Sequence, residues 1–291
     1  MTSNTSGERN VGIGVYALQQ NTSGSDNIAV GFYALSKSTT ANNSIALGRT
    51  ALENSTGTQN VAIGYQALMA NTTGGFSVAY GSQALKDNTT GFQNVAVGPQ
   101  ALTANTTGSV NTAVGDGAMS GHLSGDYNTA IGKSSGGTLT TGSNNTFIGY
   151  NSSASSSSVS NQITLGNSNV NSLRCQVTSI TALSDQRDKK DILDLGYGLN
   201  FINMLRPVEF TWNTRDEAIV DLPDLGFIAQ ELAEVEDSFE DSERLRLTLR
   251  DNPEKLEATP GRLLPIAIKA IQELSQQNAE LLARIEKLEN N

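Results

Sequence analysis

The apolar positions of the first 170 residues fall into columns, not runs. Gly recurs at Gly14, Gly31, Gly48, Gly64, Gly81, Gly98, Gly115, Gly132, Gly149 and Gly166, every 17 residues except for one interval of 16 between Gly48 and Gly64. The residue before each Gly is large and apolar, from Ile13 and Val30 to Ile148 and Leu165. Two before, it is small in the first eight copies, as in Ala29, Ala46 and Ala62; three before, it is β-branched; four before, it is mostly Asn, as in Asn10, Asn27 and Asn60. Ala and Leu follow at three and four after the Gly, as in Ala67-Leu68 and Ala84-Leu85, and then a polar turn such as Asn71–Gly74. Ten copies in register are a repeat architecture. Each copy predicts a short strand with one buried face, a Gly corner that permits positive φ, a small apolar step and a polar turn. No copy has the length or pattern of a helix.

One copy cannot bury its apolar row, but stacked copies can. Coils ~4.8 Å apart make a rod of roughly 50 Å, with the Asn column stacked as a hydrogen-bonding ladder. Each rung offers so few apolar side chains that a lone coil reads as marginal. Several chains around one axis would bury the Val, Ile and Leu columns together, so the expected fold class is a mainly β stacked β-roll or β-prism in a parallel homotrimer. An α+β domain and a trimeric coiled coil are expected after it. The Gly-Val/Ala-Ile-Gly repeats resemble the head repeats of trimeric bacterial adhesins and the shafts of phage tail fibres, although the period differs from that of the adhesins.

The pattern changes near Ser184. Leu195, Leu199, Ile202 and Leu205 have helical spacing, closed by Pro207. Val208–Trp212 predicts a strand and Ala229–Glu236 a short helix. Leu245, Leu247 and Leu249 alternate with polar residues as an exposed hairpin strand would. From Leu264 a heptad runs through Ala267, Ile271, Leu274, Asn278, Leu281, Ile285 and Leu288, with Asn278 at an a position, where a polar residue fixes register. The boundaries expected are therefore a repeat shaft at 1–170, a connector strand at 171–183, a chaperone-like α+β domain at 184–262 and a coiled coil at 263–291.

Composition sharpens the division. The 291 residues carry a formal net charge of −10. Residues 1–183 contain 6 basic and 6 acidic side chains, so residues 184–291, with 13 and 23, hold the whole excess. That balance argues against a nucleic-acid partner. No apolar run is long enough for a membrane span and no basic-apolar leader is present, so neither a membrane insertion nor a secretion signal is expected. Cys175 is the only cysteine and His122 the only histidine, so no disulfide framework, metal site or cofactor is expected. Cys175 reads as buried and inert, His122 as an exposed turn residue. The acidic residues of the repeats share no column, which disfavours a paired-carboxylate glycosidase.

Four motifs follow one another after residue 183: Ser184-Asp185-Gln186-Arg187-Asp188-Lys189, Leu205-Arg206-Pro207-Val208-Glu209-Phe210, Gly226-Phe227-Ile228-Ala229-Gln230-Glu231 and Leu263-Leu264-Pro265-Ile266. Their order resembles the C-terminal intramolecular chaperone of phage tail fibres and tailspikes, the S74 peptidase family. The resemblance implies self-cleavage between Leu183 and Ser184, with Ser184 as nucleophile, Lys189 as general base, and Asp185 and Arg187 as supporting parts. Pro207, Gly226, Gln230 and Glu231 would belong to the chaperone motif. It also implies a tail-fibre protein of a virion, assembled in the host cytoplasm, with other tail proteins and a host-surface glycan as partners. The competing readings are an adhesin-like β-solenoid with a permanent, uncut trimerisation domain, and an ice-binding solenoid suggested by paired threonines such as Thr72-Thr73.

Overall fold

The computed structural model describes residues 3–170, 172–174, 184–215, 217, 219–240 and 242–290. It divides into two compact units, residues 1–170 and 171–291. The first is a parallel β-solenoid. Its ten three-residue strands are β1 (Val11–Ile13), β2 (Ile28–Val30), β3 (Ile45–Leu47), β4 (Val61–Ile63), β5 (Val78–Tyr80), β6 (Val95–Val97), β7 (Thr112–Val114), β8 (Thr129–Ile131), β9 (Thr146–Ile148) and β10 (Ile163–Leu165). Each pairs in parallel with the next, in sequence order. The registers keep the repeat columns aligned, including Ile45 against Val61 across the 16-residue turn. Inter-turn hydrogen bonds continue outside the strands: Leu85 N–H donates to Ala101 O at 3.0 Å and Thr72 N–H to Thr89 O at 2.8 Å. The chain thus coils on itself, and each turn is the template for its neighbour.

The core is made of the small and middle-sized columns. The strand centres Ala29, Ala46, Ala62, Ala79, Ala96, Ala113 and Ala130 are fully buried, as are Leu18, Leu35, Leu52, Leu68, Leu85 and Leu102. The expectation that the Leu column needs neighbouring chains is therefore corrected, because one chain encloses it. The flanking Val and Ile columns face outward instead, with Ile13 and Tyr80 more than half exposed. Column volumes compensate one another. Where the Leu column lapses to Gly136, the strand centre of β9 becomes Phe147, and a Cβ on Gly136 would lie 2.9 Å from its ring. A void there would cost stability, so the large residue fills what the glycine vacates.

Two ladders of buried amides run inside the coil. Asn60 Nδ2 donates to Gly74 O at 2.8 Å and its Oδ1 accepts from Ser77 N at 3.0 Å; Asn94, Asn111, Asn128 and Asn145 repeat the pattern. The second ladder uses the Asn of the polar turns. Asn105 Nδ2 donates to Asn88 Oδ1 at 2.8 Å and to Gly108 O at 3.0 Å, and Asn88 Nδ2 in turn donates to Asn71 Oδ1 at 2.9 Å. Buried amides satisfied this way fix one stacking register. The threonine hydroxyls are also engaged: those of Thr72, Thr89 and Thr106 donate to carbonyls of the next turn at 2.8–2.9 Å.

His122 stands in the second ladder and is fully buried, which corrects the exposed-turn expectation. Its Nε2 lies 3.2 Å from Gly125 O. Its Nδ1 and the neighbouring Asn105 Oδ1 have no partner among the described residues. Beyond it the column continues as buried Leu139, so His122 is the step from a polar to an apolar column.

Among its described residues the second unit holds two 3-10 turns besides the one described below, three helices and two hairpins. In chain order these are α1 (Leu199–Ile202), β11 (Val208–Asn213), β12 (Val220–Gly226), α2 (Ala229–Asp237), β13 (Thr248–Leu249), β14 (Glu257–Ala258) and α3 (Leu263–Glu289). The helix expected from Leu195 to Leu205 forms only at α1, because Gly196 and Gly198 carry the backbone-entropy penalty of glycine. Glu273 of α3 then accepts from Leu199 N at 2.7 Å. The core gathers Phe201, Leu245, Leu247, Leu263 and Ile266, with Tyr197 and Phe239 packed edge-on against each other at 5.3 Å. Leu245 and Leu247 are thus buried, a correction to the exposed-strand reading; Leu249 alone of the three is exposed. Glu236, itself buried, accepts from Leu247 N at 2.8 Å, Thr248 Oγ1 at 2.6 Å and Arg250 at 3.1 Å, which ties α2 to this segment.

Two outcomes follow for the solenoid. A Cβ on Gly81, where φ is +141°, would lie 2.5 Å from the carbonyl of Gly98 in the next turn. Gly81→Ala is therefore expected to lower stability by about 2–4 kcal/mol, measured by thermal or denaturant unfolding. Burial pushes the His122 pKa below its ordinary 6.5. The unfolded chain takes up a proton near that pH which the folded chain refuses, so this contribution is present above pH 6.5 and is lost as pH falls below it. His122→Asn, which restores the ladder, is expected to remove a pH dependence of up to about 1.4 kcal/mol per unit below pH 6.5. Melting temperatures of the two proteins at pH 7.5 and 5.5 measure it.

Candidate functional site

The segment Ser184–Lys189 is organised by its second residue. Asp185 caps a 3-10 turn at Gln186–Asp188, its Oδ1 accepting from Arg187 N at 2.9 Å. The Arg187 guanidinium folds back on the same carboxylate, at 2.6 Å to Oδ2. This pairing holds the Asp185 carboxyl below its ordinary range and raises Arg187. The turn brings together two side chains five residues apart: Lys189 Nζ lies 2.6 Å from Ser184 Oγ and 3.3 Å from Ser184 O. A hydroxyl becomes a nucleophile when a base within hydrogen-bond reach takes its proton, and the geometry supplies that reach. Both residues are exposed in the single chain. Leu183 and Cys175 lie outside the described residues, as does most of the connector at 171–183.

The remaining motif residues gather elsewhere in the unit. Pro207 precedes β11 and Gly226 ends β12, where the two strands pair in antiparallel register. Gln230 lies in the first turn of α2, and Glu231 forms an ion pair with Arg206. Arg206 holds the Glu231 carboxyl below its ordinary range. The pair lines a cleft of about 230 Å³ whose apolar walls include Met204, Phe227, Leu232 and Val235. Arg206 stands inside the quoted motif, but sequence reasoning gave it no role; a cation next to the motif proline, with an acid 25 residues on, was the available signal. Strand β12 was also missed, because Pro223 interrupts its alternation.

The coiled-coil positions form one helix, α3, with two distinct faces. Leu263, Ile266 and Ala270 are buried against their own unit. Leu264, Ile271, Leu274, Leu281, Ile285 and Leu288 are 46–76% exposed, and Asn278 is exposed among them. Ile268 and Leu282, at heptad e positions, widen this stripe and are also exposed. Among the described residues no cluster of three His, Cys, Asp or Glu could hold a metal ion, and no helix is long and apolar enough to cross a membrane.

No curated protein and no solved structure matches the chain. A family match begins at the residue that carries the candidate nucleophile and extends through β12 and α2: behind a β-solenoid of repeats, residues 184–242 match the model of the S74 peptidases, described as chaperone of endosialidase.

Proposed function

We propose that this chain is a tail-fibre protein whose solenoid is the shaft and whose C-terminal unit is an intramolecular chaperone that assembles three copies and then cuts itself off. The observation that carries the reading is the 2.6 Å contact between Ser184 Oγ and Lys189 Nζ, at the first residue of the family match and, along the chain, just past the connector that follows the shaft. In the proposed step, Ser184 Oγ attacks the Leu183 carbonyl carbon and passes its proton to Lys189. The Leu183–Ser184 amide bond breaks and the Ser184 nitrogen takes the proton, leaving an ester. Water then hydrolyses it to a Leu183 carboxylate and a free Ser184 amine. A lysine acts as base only where burial or nearby cations favour the neutral amine. Ser184 and Lys189 are exposed in one chain, so packing of neighbouring copies would supply the burial, and cutting would report completed assembly.

Two unpartnered apolar stripes support assembly. On the solenoid, the outward strand positions are apolar in every turn except for Thr112, Thr129 and Thr146, and Ile13, Ile28, Tyr80, Ile131 and Ile148 among them are exposed; contiguous exposed apolar patches mark interaction sites. On α3, the free heptad face offers a second. Ile at a and Leu at d suit two strands, whereas apolar e positions broaden the stripe beyond a two-stranded seam. The count of three is taken from the resemblance to trimeric fibres. A helix bundle that aligns the copies first would protect the repeats from slipping by one turn. Placement in a virion tail, contact with other tail proteins and attachment to a host-surface glycan complete the proposal.

Intact-mass measurement of freshly folded protein is expected to show a break at Leu183–Ser184 that is absent from Ser184→Ala and Lys189→Ala. A single 30.7 kDa chain in all three would overturn the cleavage step and leave the C-terminal unit as a permanent clamp. Sedimentation of Ser184→Ala is expected to give a trimer, and Leu281→Asp with Ile285→Asp to reduce it to monomer; a monomeric parent would overturn the assembly.

A further inference from the structure

The repeat dictates most of the solenoid surface, so a departure from it that no packing requires points to recognition. The two columns after the Gly corner show such a departure. In later turns they carry small or polar residues, such as Ser82-Gln83, Pro99-Gln100 and Lys133-Ser134, with Tyr150 the one isolated aromatic. In the first four turns they carry Tyr16, Phe32, Tyr33, Arg49 and Tyr65. These five side chains form one continuous strip. The Tyr16 ring lies 6.1 Å from Phe32 and 4.7 Å from Tyr33, and Phe32 lies 4.5 Å from Tyr33. The Arg49 guanidinium sits 5.8 Å from the Phe32 ring and 5.9 Å from that of Tyr65. Arg49 has no carboxylate partner among the described residues, although the other arginine of the first three turns, Arg9, is paired with Asp26.

We propose that Tyr16, Phe32, Tyr33, Arg49 and Tyr65 form a binding strip for a carboxylate-bearing glycan. The proposal rests on the attachment reading above and adds the site and the sugar class. A sugar ring has an apolar C–H face and a hydroxyl rim. Aromatic rings that present a flat apolar body suit the first, and the Tyr hydroxyls suit the second. The strip follows the coil axis at the turn spacing of ~4.8 Å, so it is long and narrow, as a polymer requires. A cation held between two rings and lacking an acid of its own can take a carboxylate in bidentate fashion. Beside Tyr65 the second column, that of Tyr16 and Tyr33, continues as an amide ladder, with Gln83 Nε2 donating to Gln66 Oε1 at 3.1 Å and Gln100 Nε2 to Gln83 Oε1 at 3.3 Å. It offers further donors and acceptors to hydroxyls. Contact between shafts is a poorer account, because an interface between copies would follow the repeat through all ten turns, whereas the run of contacting side chains ends at Tyr65 and Tyr150 stands alone five turns on.

The repeat itself supplies variants that keep the fold. Arg49→Ser and the pair Tyr33→Gln with Tyr65→Ser install residues that the same columns carry as Ser82 and Gln83. The full-length protein and both variants would be applied to an array of immobilised neutral and carboxylated glycans, with melting temperature and oligomeric state measured beside them. The expected result is binding to carboxylated glycans, roughly tenfold or more weaker in each variant, with unchanged melting and assembly. Arg49→Lys, which keeps charge but not the planar fork, is expected to fall between the parent and Arg49→Ser. Glycan binding equal in parent and variants would overturn the strip while leaving attachment standing. Preference for neutral glycans, indifferent to Arg49, would overturn the assigned sugar class. Binding to no glycan at all would overturn the strip and the attachment reading together.

Discussion

Everything in the solenoid depends on one constraint: each turn must approach the next closely enough for backbone hydrogen bonds to form around most of the coil. At the corner this leaves no room for a side chain, which is why Gly alone holds that column from Gly14 to Gly149 with φ between +117° and +141°. The same closeness forces non-glycine residues into the left-handed region once the corner is passed, as at Gln83 (φ 60°) and Leu85 (φ 51°). Such residues cost of order 1 kcal/mol or more each and persist only when their surroundings over-determine them. Here the surroundings are the turns above and below, which accept and donate the backbone bonds, and the buried amides that link them. Strain is spread along the rod and offset by stacking, so no turn is stable in isolation.

The same dependence underlies the physical contrast between the two halves. A stack whose turns are interchangeable has an inherent ambiguity of register, and buried Asn ladders resolve it only within a chain. Were copies to pack along the outward Val and Ile columns, as proposed above, those columns would be too uniform to distinguish one turn from the next. The C-terminal unit differs in kind: its core is aromatic and local, its charges are paired in specific sets such as Glu236 with Arg250, and its long helix carries one polar residue, Asn278, in an otherwise apolar stripe. Specificity is concentrated where the repeat lacks it.

Much of this was legible in the sequence, for a physical reason. A repeat multiplies every positional preference ten times, so strand, corner and turn stood out although each strand is only three residues long. The columns did not reveal which side of the strand faces inward. That depends on the space left by the Leu column, and it is the small residue that fits. His122 was misread because a histidine in a turn column resembles surface, whereas the turn Asn residues there point inward to cap backbone. In the second unit, Gly196 and Gly198 shortened α1 against the apolar spacing, and Pro223 hid β12 from its alternation although the strand runs unbroken through it. The Ser184 and Lys189 pairing was available only through family resemblance, since the contact is made by one capped turn that no periodicity announces.

The turn between Gly48 and Gly64 closes with one residue fewer than its neighbours, and the shortfall is absorbed in the polar loop, where Gly57 stacks on Gly74 while the strands and the corner stay in register. Contour length is therefore not what the stack measures. It matches columns, and it is indifferent to how much chain lies between them at that loop. Two shafts of different ancestry, cut and rejoined anywhere within such a loop, would go on stacking across the junction. The loop is thus a natural seam at which turns of one surface composition can be exchanged for turns of another while the stacked strands are left unaltered.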